Sequence, residues 1–163
     1  MPTSARNVLA LVALLCLGAV AAALVSQYAF DMQPCAWCVL QRLIYLGIAL
    51  LCGLALLGGR ALQAASAAAS AALAACGMAA AWYQYTVAAR MFSCDQTFAD
   101  RFMSGLGLDA AAPWLFGIYA TCMDAAVKVL GVEYALWSLG LFAAIALLAL
   151  AALFRRRWPR SPC

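Results

Sequence analysis

The sequence predicts an all-α membrane protein, a bundle of four transmembrane helices joined by two loops on one side. Three observations carry this. The 163 residues are 69% hydrophobic and only 10% charged, with mean hydropathy +0.97, whereas a soluble domain is nearer half apolar and a quarter charged. Four long stretches contain no Asp, Glu, Lys or Arg. The charged residues are sorted by sign between the segments that join those stretches. The length suits one integral membrane domain over 1–163. The net charge of +4 does not indicate nucleic acid, because the basic residues cluster at the ends of apolar runs.

The charge-free stretches are Asn7–Ser26, Leu43–Gly59, Ala61–Ala89 and Tyr134–Phe154. About 20 helical residues rise roughly 30 Å and cross the hydrocarbon core. The first gives a helix over about 7–26. Arg6 ahead of it and the alanines at 19–23 allow a cleaved signal peptide as the rival, but the run is long for one and a retained helix is expected. The second extends back through Val39 and Leu40, giving about 39–59. The third, about 61–89, is rich in alanine. Ser66 and Ser70, one turn apart, suit close packing between helices, and Leu73, Met78, Trp82, Tyr83 and Tyr85 argue against an Ala/Ser linker. The fourth covers about 134–154.

All six acids, Asp31, Asp95, Asp100, Asp109, Asp124 and Glu133, fall between runs one and two or between runs three and four. Arg6, Arg60, Arg155, Arg156, Arg157 and Arg160 fall at the chain ends or in the short turn between runs two and three. Arg90, Arg101 and Lys128 share the long acidic loop, so the sorting is a bias. The positive-inside rule then places both termini in the cytoplasm, with loops of about 27–38 and 90–133 outside. In a bacterial inner membrane the outside is the oxidising periplasm.

This topology divides the eight cysteines. Cys16, Cys52 and Cys76 lie in apolar helices and read as small buried hydrophobes. Cys163 ends a basic cytoplasmic tail. Cys35, Cys38, Cys94 and Cys122 all fall outside. Those four suit three roles: two structural disulfides, a four-thiolate zinc site, or a redox relay. Zinc is disfavoured because only one Cys-x-x-Cys is present and the chain has no histidine. A Cys-x-x-Cys closes a very small ring, a poor brace but a good two-electron switch. Spacing and compartment therefore favour the relay, with structural disulfides as the main rival.

The segment QPCAWCVLQR, residues 33–42, adds chemistry. Pro34 ends an extended loop so that a helix can begin near Cys35, where the positive end of the helix dipole favours a thiolate. Arg42 then lies one turn beyond Cys38 on the same face. A cation at that depth marks function or snorkels to lipid headgroups. Oxidised thiols must pass their electrons on, and the chain carries no haem, dinucleotide or iron–sulfur motif. A quinone diffusing in the bilayer meets the need, with Arg42 stabilising negative charge on its ring oxygens.

Gln27-Tyr28, the run Gln33-Pro34-Cys35-Ala36-Trp37-Cys38, Gln41-Arg42, Phe92-Ser93-Cys94-Asp95, Cys122-Met123-Asp124 and Leu130-Gly131-Val132 ahead of a helix with Trp137 together resemble the disulfide bond formation protein B (DsbB) family, in order and over nearly the whole chain. The resemblance implies a four-helix thiol:quinone oxidoreductase. It would oxidise a periplasmic thioredoxin-like dithiol oxidase of the DsbA type and pass electrons through two cysteine pairs to ubiquinone or menaquinone, without a metal. By position, Cys94 would form the mixed disulfide with the partner, and Cys122 would resolve it or pair with Cys35. Cys38 would face the quinone as thiolate beside Arg42. Members of the family can carry a histidine near the quinone; here Gln84 or Tyr85 occupies the nearby stretch. The aromatic segment Pro113–Tyr119 is expected either to lie on the membrane, holding Cys122 near the bilayer and close to Cys35, or to be a hydrophobic loop packed on the bundle. Two other functions compete: a non-catalytic four-helix scaffold with disulfide-braced loops, and an enzyme resembling the vitamin K epoxide reductases, whose cysteine order differs.

Overall fold

A computed structural model describes residues 5–90 and 97–157. Helix α1 spans Ala5–Ala29, α2 Ala36–Leu57, α3 Arg60–Thr86 and α7 Tyr134–Arg157. Each contains a stretch long and apolar enough to cross a membrane. Together with the apolar composition they make this a multi-pass membrane protein, an all-α bundle of four spanning helices. Helix α1 packs on α2, α2 on α3 and α3 on α7, and α7 closes the ring against α1.

Helix α2 begins earlier than its apolar run because Cys35 is the N-cap, with extended backbone after Pro34. Its carbonyl accepts the Val39 amide at 3.0 Å. Helices α2 and α3 meet at Gly58 and Gly59, both with extended backbone. Helix α3 turns a file of small residues inward: Ser66, Ala67, Ser70, Ala74, Gly77, Ala80 and Ala81 are buried. Without lipid-excluded water to drive association, such residues let backbones approach and gain dispersion contacts. At Gly77 the missing Cβ leaves room for the Phe142 ring of α7. Phe142 in turn stacks on Tyr45 of α2, with centroids 4.1 Å apart and planes at 3°.

The long connection between α3 and α7 is more ordered than a loop. A 3-10 turn at Ala88–Arg90 follows α3. Helix α4, Phe98–Leu106, starts on a capping box between Thr97 and Asp100 and ends at left-handed Gly107, φ 66°. Two short helices follow, α5 at Leu108–Ala111 and α6 at Pro113–Phe116, where Pro113 takes a first-turn position that needs no amide hydrogen. A two-residue hairpin then forms from β1, Lys128–Val129, and β2, Val132–Glu133. The hairpin turns through Leu130 and Gly131, both at positive φ, the backbone that matches strand twist in a tight hairpin. Trp137 pins it by donating its indole N–H to the Val129 carbonyl at 3.2 Å.

Hydrogen bonds fasten the connection to the mouth of the bundle. Tyr28 Oη donates to the Trp114 carbonyl at 2.7 Å. Arg42 Nη1 donates to the Leu115 carbonyl at 3.1 Å. The Tyr119 amide donates to the Pro34 carbonyl at 3.0 Å. The Pro113–Tyr119 segment thus docks its backbone on the bundle while the Trp114 and Tyr119 side chains stay exposed.

Candidate active site

The Cys-x-x-Cys lies where α2, α3 and the long connection converge. Cys35 is buried and Cys38 half-buried, and their sulfurs are 3.3 Å apart. Both pack in a cluster with Trp37, Val39, Leu40, Met103 and Phe116, and Cys122 packs against the same cluster. The route that brings Cys122 there is local. The amides of Tyr119 and Ala120 both donate to the Pro34 carbonyl, so the chain reaches Cys122 two residues beyond a bond to the residue preceding Cys35. The neighbouring Cys122 thiol is the first reason the Cys35 thiol is pushed up to about 12; burial adds to this, and Cys38 opposes it. The helix N-terminus expected to favour a Cys35 thiolate is outweighed while Cys35 and Cys122 are both reduced.

Arg42 is buried, 5% exposed. Nη1 donates to Gln27 Oε1 at 2.7 Å and to the Leu115 carbonyl, and Nη2 donates to the Ala23 carbonyl at 3.3 Å. All three acceptors are neutral oxygens. The side chain therefore points into the protein rather than out to headgroups. Nε has no hydrogen-bond partner.

Beside these groups lies a cavity of about 830 Å³ between α1, α2 and α7. Cys38, Gln41, Arg42, Tyr45 and Gln84 line it, and much of the remaining wall is aliphatic: Ala19, Ala22 and Ala23 on one side, Ala135, Leu136 and Leu141 on the other. Cys38 is the one Cys-x-x-Cys sulfur-bearing residue on this wall; Cys35 sits behind it. Mostly apolar walls with a few convergent polar groups and a volume of hundreds of Å³ describe a small-molecule site. An aromatic ring with carbonyl oxygens suits this lining, with Arg42, Gln41 and Gln84 as the polar residues on the wall.

Gln84 is the residue that sequence reasoning only brushed. It is buried, and Nε2 donates to Cys38 Sγ at 3.1 Å and to Cys35 Sγ at 3.7 Å. Its own Oε1 accepts from Gln41 Nε2 at 2.7 Å. Gln41 was visible as a neighbour of Arg42, but nothing in spacing says that its amide meets that of Gln84 on another helix. Tyr85 points elsewhere, with the Arg90 guanidinium 5.9 Å from its ring centroid.

Cys94 and Cys163 lie outside the described residues. Cys16 and Cys52 are buried in the bundle core, and Cys52 Sγ lies 3.4 Å from Ser70 Oγ. Cys76 differs from its reading as a buried hydrophobe: it is exposed, because it falls on the face of α3 opposite the small-residue file. Among the described residues no three His, Cys, Asp or Glu side chains gather as a metal site.

The family model described as "Disulfide bond formation protein DsbB" matches residues 5–152. A "Disulfide bond formation protein B" of Herminiimonas arsenicoxydans is 31% identical over 155 residues, covering 94% of this chain and 98% of that protein. One of Pseudomonas syringae pv. tomato is 31% identical over 154 residues, covering 93% and 91%. One of Cupriavidus metallidurans is 28% identical over 157 residues, covering 96% and 97%.

Proposed function

Because the chain belongs to the disulfide bond formation protein B family, a family of membrane proteins of disulfide formation, we propose that it is a protein-dithiol:quinone oxidoreductase of the bacterial inner membrane. It oxidises a periplasmic thioredoxin-like dithiol oxidase of the DsbA type and sends the electrons through two cysteine pairs to ubiquinone or menaquinone. Both termini face the cytoplasm, as the charge sorting indicates. The observation that carries the reading is that Cys38 and the buried cation Arg42 share one mostly apolar cavity of about 830 Å³.

In this reading a partner thiolate attacks the Cys94–Cys122 disulfide at Cys94. Cys122 leaves as thiolate, and the partner's second thiol then displaces Cys94, so that the partner leaves oxidised and Cys94 and Cys122 are reduced. Cys122, packed beside Cys35, attacks the Cys35–Cys38 disulfide at Cys35 and expels Cys38 as thiolate toward the cavity. Cys94 displaces Cys35 from Cys122 and restores its own pair. A bound quinone supplies a two-electron, two-proton acceptor. Gln84 donates to the Cys38 sulfur, Arg42 supplies positive charge at the cavity wall, and the aliphatic wall excludes water. Two thiols of the partner become one disulfide, and their two electrons and two protons reach the acceptor.

The test is turnover. Purified protein in detergent, given a reduced thioredoxin-like protein and excess quinone, should bleach quinone absorbance with one disulfide formed per quinone consumed. Disulfide formation without quinone loss would overturn the acceptor assignment.

A further inference from the structure

We propose that the buried amide pair Gln41–Gln84 is a positioning device that keeps an N–H donor on Cys38 and so makes Cys38, rather than Cys35, the sulfur that holds negative charge. This rests on the cysteine roles above and adds residues to them.

The case begins with the direction of one amide. A glutamine side chain has two donors on nitrogen and an acceptor oxygen, and reversing it exchanges them. Gln41 Nε2 donates to Gln84 Oε1 at 2.7 Å. That bond leaves Gln84 Nε2 facing the two sulfurs, at 3.1 Å from Cys38 and 3.7 Å from Cys35. If Gln84 reversed alone, its nitrogen would face the nitrogen of Gln41 and its oxygen would face the sulfurs. Both contacts would be unfavourable once a sulfur is anionic. Both glutamines are buried, 5% and 4% exposed, so a lost partner is costly to replace.

The second part of the case is the asymmetry. The shorter bond goes to Cys38, the sulfur on the cavity wall. Cys35 instead faces Cys122, whose thiol keeps the proton on Cys35. The two sulfurs of one Cys-x-x-Cys share the Gln84 amide unequally: its closer contact, 3.1 against 3.7 Å, is with Cys38, while Cys35 lies against Cys122. A hydrogen bond to a charged group is worth roughly ten- to a hundredfold in an equilibrium constant.

The experiment uses reduced, quinone-free protein and a small alkylating reagent at fixed pH 8, with peptide mapping to give the rate at each cysteine. Gln84→Met keeps the volume and removes the donors; Gln41→Met keeps Gln84 and removes its orientation. Cys16 and Cys52, both fully buried, report the fold, since they stay protected while the bundle is intact. Alkylation of Cys38 relative to Cys35 should fall about tenfold or more in Gln84→Met and by a smaller factor, about threefold, in Gln41→Met. An unchanged ratio in both variants, with the core thiols protected, would overturn the proposal. If Gln84→Met exposes the core thiols, Gln41→Met decides alone. No step in this assay needs an acceptor, so it separates from the quinone reading: a shifted ratio in a protein that does not reduce quinone would sustain the amide device and sink that acceptor.

Discussion

Arg42 Nη1 donates to Gln27 Oε1 at 2.7 Å, joining α2 to α1 through two buried side chains. Burying a cation in a membrane protein is expensive, and here neutral oxygens alone among the bonded acceptors offset the cost. A group kept there needs a use beyond anchoring. Lysine snorkels as well as arginine but lacks the planar, multiply donating fork. Arg42→Lys should therefore raise the apparent Michaelis constant for quinone by about tenfold or more, from the loss of a charge-assisted hydrogen bond. Thiol exchange with the partner in a quinone-free single turnover should be nearly unchanged. Equal damage to both steps would assign Arg42 to the fold.

The cysteines should divide by position. Cys16→Ala and Cys52→Ala each remove one buried sulfur and should cost about 1 kcal/mol of stability with turnover retained. Cys76→Ala and Cys163→Ser should be silent. Ala at Cys35, Cys38, Cys94 or Cys122 should abolish turnover, since each removes half of a two-electron switch. Persistent quinone-linked oxidation in both Cys94→Ala and Cys122→Ala would reduce the relay to one pair.

Reporter fusions test the orientation. An enzyme active only in the periplasm should be inactive after Arg157 and fully active near Asp109. Activity at the first site would invert the topology, and with it the compartment argument for the four external thiols.

The bundle was legible because a membrane imposes a simple code. Charge-free runs of about 20 residues read directly as spans. That Cys38 and Arg42 face one cavity was legible because i, i+4 spacing fixes a helix face. The contacts of the long connection were not. What places Cys122 beside Cys35 is a pair of backbone bonds to the Pro34 carbonyl, and backbone bonds leave no trace in side-chain pattern. Nor were the short helices or the hairpin at Leu130–Gly131 anticipated, since each is too brief to show a period. Gln84 was named only as a neighbour, because its role depends on the amide direction set by Gln41 on another helix.

The Gly77–Phe142 contact links the packing to the site. A Cβ at residue 77 would overlap the Phe142 ring. That ring is fully buried and stacked on Tyr45, which lines the cavity and bonds Ser138 at 2.9 Å. Overpacking of this kind costs about 1–3 kcal/mol. Gly77→Ala should lower the melting temperature in detergent and weaken quinone binding through Tyr45. Adding Phe142→Leu should recover much of the melting temperature, because the two changes share one contact. Additive losses would mean that the helices separate instead.

The contact between Cys122 and Cys35 makes a prediction with a definite sign. In the reduced protein the Cys35 thiol is raised from 9.0 to about 12, first by the Cys122 thiol and further by burial. A folded-state value above the unfolded one means that the folded protein holds the proton longer. The stability this contributes is fully present below about pH 9 and is lost as pH rises through about 12. Reduced protein should therefore weaken on the alkaline side of 9, and Cys35 should alkylate slowly until that range is reached. Cys122→Ala removes the first cause, so the Cys35 alkylation profile should shift toward 9. Truncation also opens space beside Cys35, and better access alone would speed alkylation by one factor at every pH. A profile displaced along the pH axis identifies the thiol contact; a uniform acceleration with the midpoint unmoved would show that Cys122 merely shields Cys35.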